Sequence, residues 1–364
     1  MRILVLTTEA FGGHGGIALY NRHLLAALST YPDCTEVVAI PRLMLSFIES
    51  LPSRLTYITE GLNSKLKYMS AVLRAVHKNP KFDLIICGHI NLLPVVYLLR
   101  LWVQAPVLLV IYGIDVWKPT QSRLVNYLVG KIDGFISISE LTKQRFLGWA
   151  NLKSVEGFLL PNAIDLTSYG PGPKNTELLN RYGLTGKKVL LTVGRLVSQD
   201  RSKGFDEVLD ILPELIKEIP DLVYLIVGDG NDRQRLKEKA ASLGIEDRVI
   251  FTGYVSESEK ADYYRLADVY VMPGRKEGFG FVFLEAMACG IPVIASKVDG
   301  SREAVGNGEF GILVDPDNPE EIKAGIFEAL RRPKGVVPKG LDYFSYENFE
   351  RRCHGIIDQV VHKK

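Results

Sequence analysis

Cysteine is scarce. The four residues Cys34, Cys87, Cys289 and Cys353 in a chain of 364 show no paired or metal-type spacing. This excludes a disulfide scaffold and a thiolate zinc site, and it points to a reducing, cytoplasmic compartment. The six histidines form no cluster at metal-ligand spacing, so no metal is expected. Long apolar runs are also missing. The most membrane-like stretch, residues 94–112, is interrupted by Arg100 and Gln104 and broken at Ala105-Pro106. It reads as a helix over 91–103 and a buried strand over 107–112 rather than a span of about 20 apolar residues. The opening Met1-Arg2-Ile3-Leu4-Val5-Leu6-Thr7 is too short for a secretion signal and reads as a first buried strand. A large charge of one sign is absent, the formal net charge being +2, and no nucleic-acid partner is expected. A dinucleotide fingerprint is missing as well. Gly12-Gly13-His14-Gly15-Gly16 lacks the Gly-x-Gly-x-x-Gly spacing, and the second strand ends at Ile40-Pro41 without an acidic residue. A nicotinamide enzyme is therefore disfavoured.

What is present is an ordinary soluble composition, 47% hydrophobic and 24% charged, in a chain too long for one core. Short apolar strands are legible at 2–7, 36–40, 84–87, 107–112 and 134–138, then at 188–193, 223–227, 248–251, 268–272, 291–295 and 312–314. Helical stretches alternate with them, among them 17–29, 66–78, 205–218, 231–243, 257–266, 281–289 and 318–331. Such alternation predicts α/β architecture, with parallel sheets covered on both faces and ligands beyond the strands' carboxyl ends. The Gly- and Pro-rich segment Tyr169-Gly170-Pro171-Gly172-Pro173-Lys174-Asn175 reads as a linker. Two doubly wound, Rossmann-like domains facing a cleft are expected, 1–168 and 169–340, followed by a terminal helix within 341–364. Residues 1–170 hold 16 basic and 11 acidic side chains, a surplus that suits a membrane surface or lipid phosphate, although ordinary surface scatter also accounts for it.

The most informative stretch is Glu277-Gly278-Phe279-Gly280-Phe281-Val282-Phe283-Leu284-Glu285. A glycine turn runs straight into an apolar helix, whose first amides and dipole suit a phosphate. Glu285 falls among apolar neighbours, where a bare carboxylate is costly without a partner such as a sugar diol. The plainer alternative is a loop entering a core helix. The spacing of the two glutamates resembles the Glu-x7-Glu signature of retaining GT-B glycosyltransferases of the family 4 type. That resemblance implies that Glu277 meets the donor sugar and Glu285 the ribose of the nucleotide.

Other motifs follow in the family's order along nearly the whole chain. The resemblance assigns the 12–16 glycine loop, with His14, Gly15 and Gly16, to the donor diphosphate and the acceptor. It assigns Gly194 and Arg195 after a strand, and Lys203 before a helix, to the leaving diphosphate. The gap between Arg195 and Lys203 is longer than the family's commonest pattern, so Arg201 competes with Lys203 for the second cation. Phe251-Thr252-Gly253-Tyr254-Val255 resembles the loop that holds the nucleobase, and the amides of Phe279, Gly280, Phe281 and Val282 face the phosphate. Ile111-Tyr112-Gly113-Ile114-Asp115 matches a motif that normally carries histidine where Tyr112 stands, which leaves His89 or His14 to serve the reaction centre. Leu160-Pro161-Asn162-Ala163 resembles the interdomain motif, with alanine in place of glycine. Asp315-Pro316-Asp317 reads as a turn and helix cap rather than a metal site.

The resemblance thus implies a metal-independent, retaining hexosyltransferase without a cofactor. It would move sugar from a nucleotide-diphosphate donor, expected to be a UDP-sugar such as UDP-glucose, to a hydroxyl acceptor, lipid-linked saccharide included. Cell-envelope, exopolysaccharide or glycolipid synthesis is the expected setting, in the cytoplasm or peripherally on the inner membrane face. A UDP-sugar epimerase of the same shape and a non-catalytic sugar-nucleotide-binding protein are the rivals.

Overall fold

Residues 1–48, 50–152 and 155–361 are described by a computed structural model. They form two parallel sheets in two compact units, residues 1–163 with 346–364, and residues 164–345.

In the first unit, seven strands run β1 (Arg2–Thr7), β2 (Glu36–Pro41), β3 (Leu55–Tyr57), β4 (Leu84–Gly88), β5 (Val107–Ile111), β6 (Gly134–Ser137) and β7 (Glu156–Leu159). Their order in the sheet is β3-β2-β1-β4-β5-β6-β7, so the winding reverses between β1 and β4. The inner strands are buried on both faces, which is why they read as unbroken Val, Ile and Leu runs. β3 and β7 escaped the sequence pattern. β3 has three residues, and β7 carries Glu156 and Gly157. Gly157 is needed there, because an added Cβ would lie 2.2 Å from Phe135 Cζ. The 94–112 stretch becomes a helix, Leu93–Leu99, and then β5. The helix Tyr346–Val361 packs on the helix Gly16–Thr30. Tyr20 and Phe349 meet edge-on at 5.6 Å, and Tyr31 donates to Asp358 at 2.6 Å.

The second unit has β8 (Lys188–Val193), β9 (Leu222–Val227), β10 (Val249–Gly253), β11 (Val269–Val271), β12 (Val293–Ser296) and β13 (Ile312–Val314). The order is β10-β9-β8-β11-β12-β13, with the reversal between β8 and β11. The Gly/Pro-rich 169–175 segment is fastened to this unit. Arg265 donates to the Gly170 carbonyl (3.0 Å), Lys174 pairs with Asp268 (3.3 Å), and Asn175 caps the helix Thr176–Arg181. Among the described residues, no helix is long and apolar enough to cross a membrane.

Candidate functional site

In an open parallel sheet, the crevice for a ligand lies beyond the carboxyl ends where the winding reverses. In the second unit that crevice is flanked by the segments after β8 and β11. Gly204 makes the turn after β8 with φ +83°, and it lies so close to Pro273 that an added Cβ would come within 2.7 Å of the ring. This turn holds Lys203 against the segment after β11, where its ammonium donates to Glu277. Burial works against the Lys203 charge, and Glu277 outweighs it, so the lysine pKa is raised. Arg201 is exposed and faces Asp232 instead, at 3.4 Å. Arg195 follows Gly194 at the end of β8. It is exposed, and its guanidinium has no ion pair among the described residues.

Behind Glu277 lies a carboxylate that the sequence did not single out. Asp299 is fully buried. One of its oxygens accepts the Glu277 amide (2.9 Å), and the other accepts the amide and hydroxyl of Ser301 (3.0 and 2.6 Å). Burial raises its pKa, and Glu277 adds to the effect. Gly300 donates its amide to the Glu277 carbonyl at 2.8 Å, and a Cβ at Gly300 would lie 2.1 Å from the Gly278 carbonyl oxygen. The only signal in sequence was a Val-Asp-Gly-Ser turn after an apolar strand, which does not name its partner.

The turn ends at Gly280 (φ +96°), and the helix Phe281–Ala288 begins with no side-chain cap. Glu285 sits inside this helix, 1% exposed, with protein partners already in hand. Tyr264 donates to it at 2.6 Å, and Lys260 lies 3.6 Å away. Burial raises the Glu285 pKa, and Lys260 pulls against that rise. Phe279 is buried against Phe344, with ring centroids 5.5 Å apart. Gly194 faces Gly228, where an added Cβ would lie 1.9 Å from the Gly194 carbonyl oxygen. Gly228 in turn donates its amide to Gly253 at 3.0 Å. Tyr254 is 69% exposed just beyond, and Val255 is buried.

In the first unit, the crevice between β1 and β4 is flanked by the 12–16 loop and by His89. Gly15 (φ +89°) precedes the helix Gly16–Thr30, and His14 is exposed. His89 Nδ1 accepts the Asn91 amide at 3.1 Å. That bond requires the proton on Nε2, and burial, with Arg42 adding, lowers the imidazole pKa. Tyr112 is buried and donates to Asn21 Oδ1 (2.7 Å), while Asn21 Nδ2 donates to Thr7 and to the Glu9 carbonyl, both at 2.8 Å. Tyr112 thus ties β5 to β1 through the first helix. Burial pushes the Asp115 carboxyl up to about 7. Asn162 is 3% exposed, and its Oδ1 has no hydrogen-bond partner among the described residues.

Two other groups belong elsewhere. A groove of about 550 Å³ lined by Arg2, Thr35, Glu36, Arg54, Leu55 and Thr56 lies at the opposite, amino-terminal ends of β1 to β3. Arg2 and Glu36 neutralise each other across it at 2.8 Å. Asp315 accepts the Asp317 amide (2.9 Å) as a turn, and Asp317 pairs with Arg275 at 2.6 Å.

Known proteins resemble the chain in two ways. The family described as Glycosyl transferases group 1 matches residues 175–341, the segment that holds the Lys203–Glu277–Asp299 cluster. A GDP-mannose-dependent alpha-(1-6)-phosphatidylinositol monomannoside mannosyltransferase of Mycolicibacterium smegmatis is 32% identical over 206 residues, covering 54% of this chain and 53% of its own. A phosphatidyl-myo-inositol mannosyltransferase of Mycobacterium tuberculosis is 36% identical over 201 residues, 55% of this chain and 50% of its own. The chain spans about half the length of the curated relatives it matches. Among solved structures, a sucrose-phosphate synthase from Thermosynechococcus elongatus superposes with TM-score 0.81 at 24% identity, covering all of both chains. Anabaena HepE in complex with UDP and glucose superposes with TM-score 0.77 at 20% identity, over 98% of this chain and 99% of its own. Two parallel sheets that superpose over their whole length on these structures have the GT-B fold, and residues 175–341 of the chain match the group 1 glycosyl transferase family.

Proposed function

We propose that this chain is a metal-independent, retaining glycosyltransferase that passes a hexose from a nucleoside-diphosphate sugar to a hydroxyl acceptor. The observation that carries the reading is the Lys203–Glu277 pair, braced by Asp299 at the switch point and inside the family-matched segment. Lys203 and Arg195 would hold the charge that grows on the diphosphate as the bond from the sugar's anomeric carbon to the phosphate oxygen breaks. The dipole of the helix that starts at Phe281 and Val282 would add to that hold. The acceptor oxygen would bond to the anomeric carbon, and its proton would pass to the departing phosphate. Glu277 would orient the donor sugar once diphosphate shares Lys203, and Glu285 would hold the ribose after exchanging a protein partner for the diol.

For the base, the curated relatives weigh against the UDP expected from sequence, because the first is named for GDP-mannose. Their acceptors are phosphatidylinositol lipids by name, which supports a glycolipid acceptor and peripheral membrane work here. The first test is a thermal-shift screen with UDP-glucose and GDP-mannose. The cognate donor at about 100 times its dissociation constant should stabilise the chain by roughly 2.7 kcal/mol. Turnover with a phosphatidylinositol acceptor should then release nucleoside diphosphate only when acceptor is present. Release of an epimerised sugar nucleotide without acceptor would identify the epimerase instead, and binding without turnover a non-catalytic protein.

A further inference from the structure

We infer that the connection between β2 and β4 is a docking surface for an anionic lipid bilayer. The inference rests on the proposed lipid-side acceptor and specifies which face of the first unit meets it. Residues 42–83 hold seven basic and three acidic side chains, a surplus of four, whereas the rest of residues 1–170 holds nine and eight. Most of the net surplus of that half therefore falls in this one connection, with Arg54 in the groove at the amino-terminal ends of the strands and Arg42, Lys65 and Lys67 at the other end, beside the 43–48 stretch. The same connection exposes large apolar side chains. Phe47 is 96% exposed, Leu66 85% and Leu45 70%, with Leu43 and Ile48 also open. Leu66 stands between Lys65 and Lys67, both exposed and in no ion pair among the described residues. It lies on the solvent side of the helix Lys65–Lys78, whose Tyr68, Ala71, Val72 and Val76 face the core.

The two exposed stretches are tied together, since Asn63 donates its amide to the Arg42 carbonyl at 3.0 Å. Leucine and phenylalanine beside lysines fit a bilayer boundary, where apolar side chains enter the acyl region and ammonium groups meet lipid phosphates. The lipid acceptors named for the relatives favour a bilayer over an acidic protein face as the occupant. The surface is also fastened to the candidate site. The amides of Leu45 and Ser46 donate to the Gly12 carbonyl at 2.8 and 2.9 Å, and a Cβ at Gly12 would lie 2.6 Å from Met44 Cγ. Docking this segment would therefore hold the glycine loop at the lipid surface that presents the acceptor.

The test is co-sedimentation of the full chain with phosphatidylcholine vesicles, with and without phosphatidylglycerol. Binding should require phosphatidylglycerol and weaken with salt. The triple variant Leu45→Ser, Phe47→Ser, Leu66→Ser should bind about 10-fold or more weakly, and so should Lys65→Glu with Lys67→Glu. Both variants should melt like wild type and bind nucleoside diphosphate unchanged, because none of these residues belongs to the second unit. Wild type that stays off the vesicles, or a triple variant that binds like wild type, overturns the inference. So does loss of binding in Leu101→Ser with Trp102→Ser, another exposed apolar pair of this unit (73% and 53%). Failure of the glycosyltransferase reading would appear separately, as absent nucleotide binding with vesicle binding intact.

Discussion

At the switch point of the second unit a lysine and a glutamate meet as a charged pair, whereas at that of the first a histidine, a tyrosine and a buried carboxyl lean to their neutral forms beside Arg22 and Arg42. The sheets share one plan, a single reversal with glycine turns at the carboxyl ends. Beyond β8 and β11 stand Lys203, Glu277 and Arg195, with the buried Asp299 anchoring the loop. Beyond β1, β4 and β5 stand glycines, a histidine held neutral, a tyrosine spent on Asn21, and a carboxyl whose burial favours its protonated form. Charge at the second switch point suits a diphosphate. A neutral, donor-rich lining suits hydroxyl groups. Related sheets thus offer two chemistries because the residues after the strands differ.

The sharpest way to break this contrast is to remove the cations. Arg195→Ala and Lys203→Ala should each lower turnover by roughly 10²–10³-fold, since each removes stabilisation that grows as the diphosphate leaves. Arg201→Ala should stay near wild type, because Arg201 faces Asp232. The reverse pattern would show that the second cation is Arg201.

Next comes the division between the two glutamates. Glu285→Ala should weaken nucleoside-diphosphate binding by about 10- to 150-fold, the loss of a charged hydrogen bond of about 1.5–3 kcal/mol. Glu277→Ala should spare the diphosphate and damage only the nucleotide sugar. Calorimetric titration of both variants with both ligands decides it, and equal losses throughout would refute the division. Glu285 is also the buried partner of Lys260 and Tyr264, so a steep fall in melting temperature with unchanged affinity would make its role purely structural.

Backbone proximity should matter more than chemistry at Gly228. An added Cβ there meets the Gly194 carbonyl oxygen at 1.9 Å, and the residue has φ +138°. Gly228→Ala should therefore cost about 1–3 kcal/mol in denaturant unfolding. Gly15→Ala, at a positive φ with nothing near its Cβ, should cost less. Equal costs would remove the close approach as the cause.

The smallest effect concerns the neutral side of the comparison. Asp115 has a folded pKa of about 7, above its unfolded value, so the folded state holds a proton that the unfolded state has lost. Its contribution to stability is present below the unfolded value of about 4 and is lost as pH rises through about 7. Asp115→Asn should flatten that decline in unfolding experiments run across this pH range. Parallel curves for wild type and variant would show that Asp115 is charged in the fold.

Much of this was legible beforehand, for physical reasons that differ by residue. Doubly wound architecture follows from unbroken apolar runs that parallel, two-face-buried strands need, and β1 and β8 match the expected spans while β9 starts one residue earlier. Gly280 and the apolar helix after it announced a turn into an uncapped helix start, because few other residues tolerate that backbone. Such signals are local, carried by neighbours along the chain. What sequence could not decide was pairing across distance. That Lys203 rather than Arg201 meets Glu277 depends on the Gly204–Pro273 packing, 69 residues apart in the chain. That Tyr112 bonds Asn21, that Asp299 underpins Glu277, and that Lys260 and Tyr264 enclose Glu285 were likewise set by which strands lie side by side. Strand order is a property of the whole sheet, since each hydrogen bond across it joins residues that no local pattern brings together.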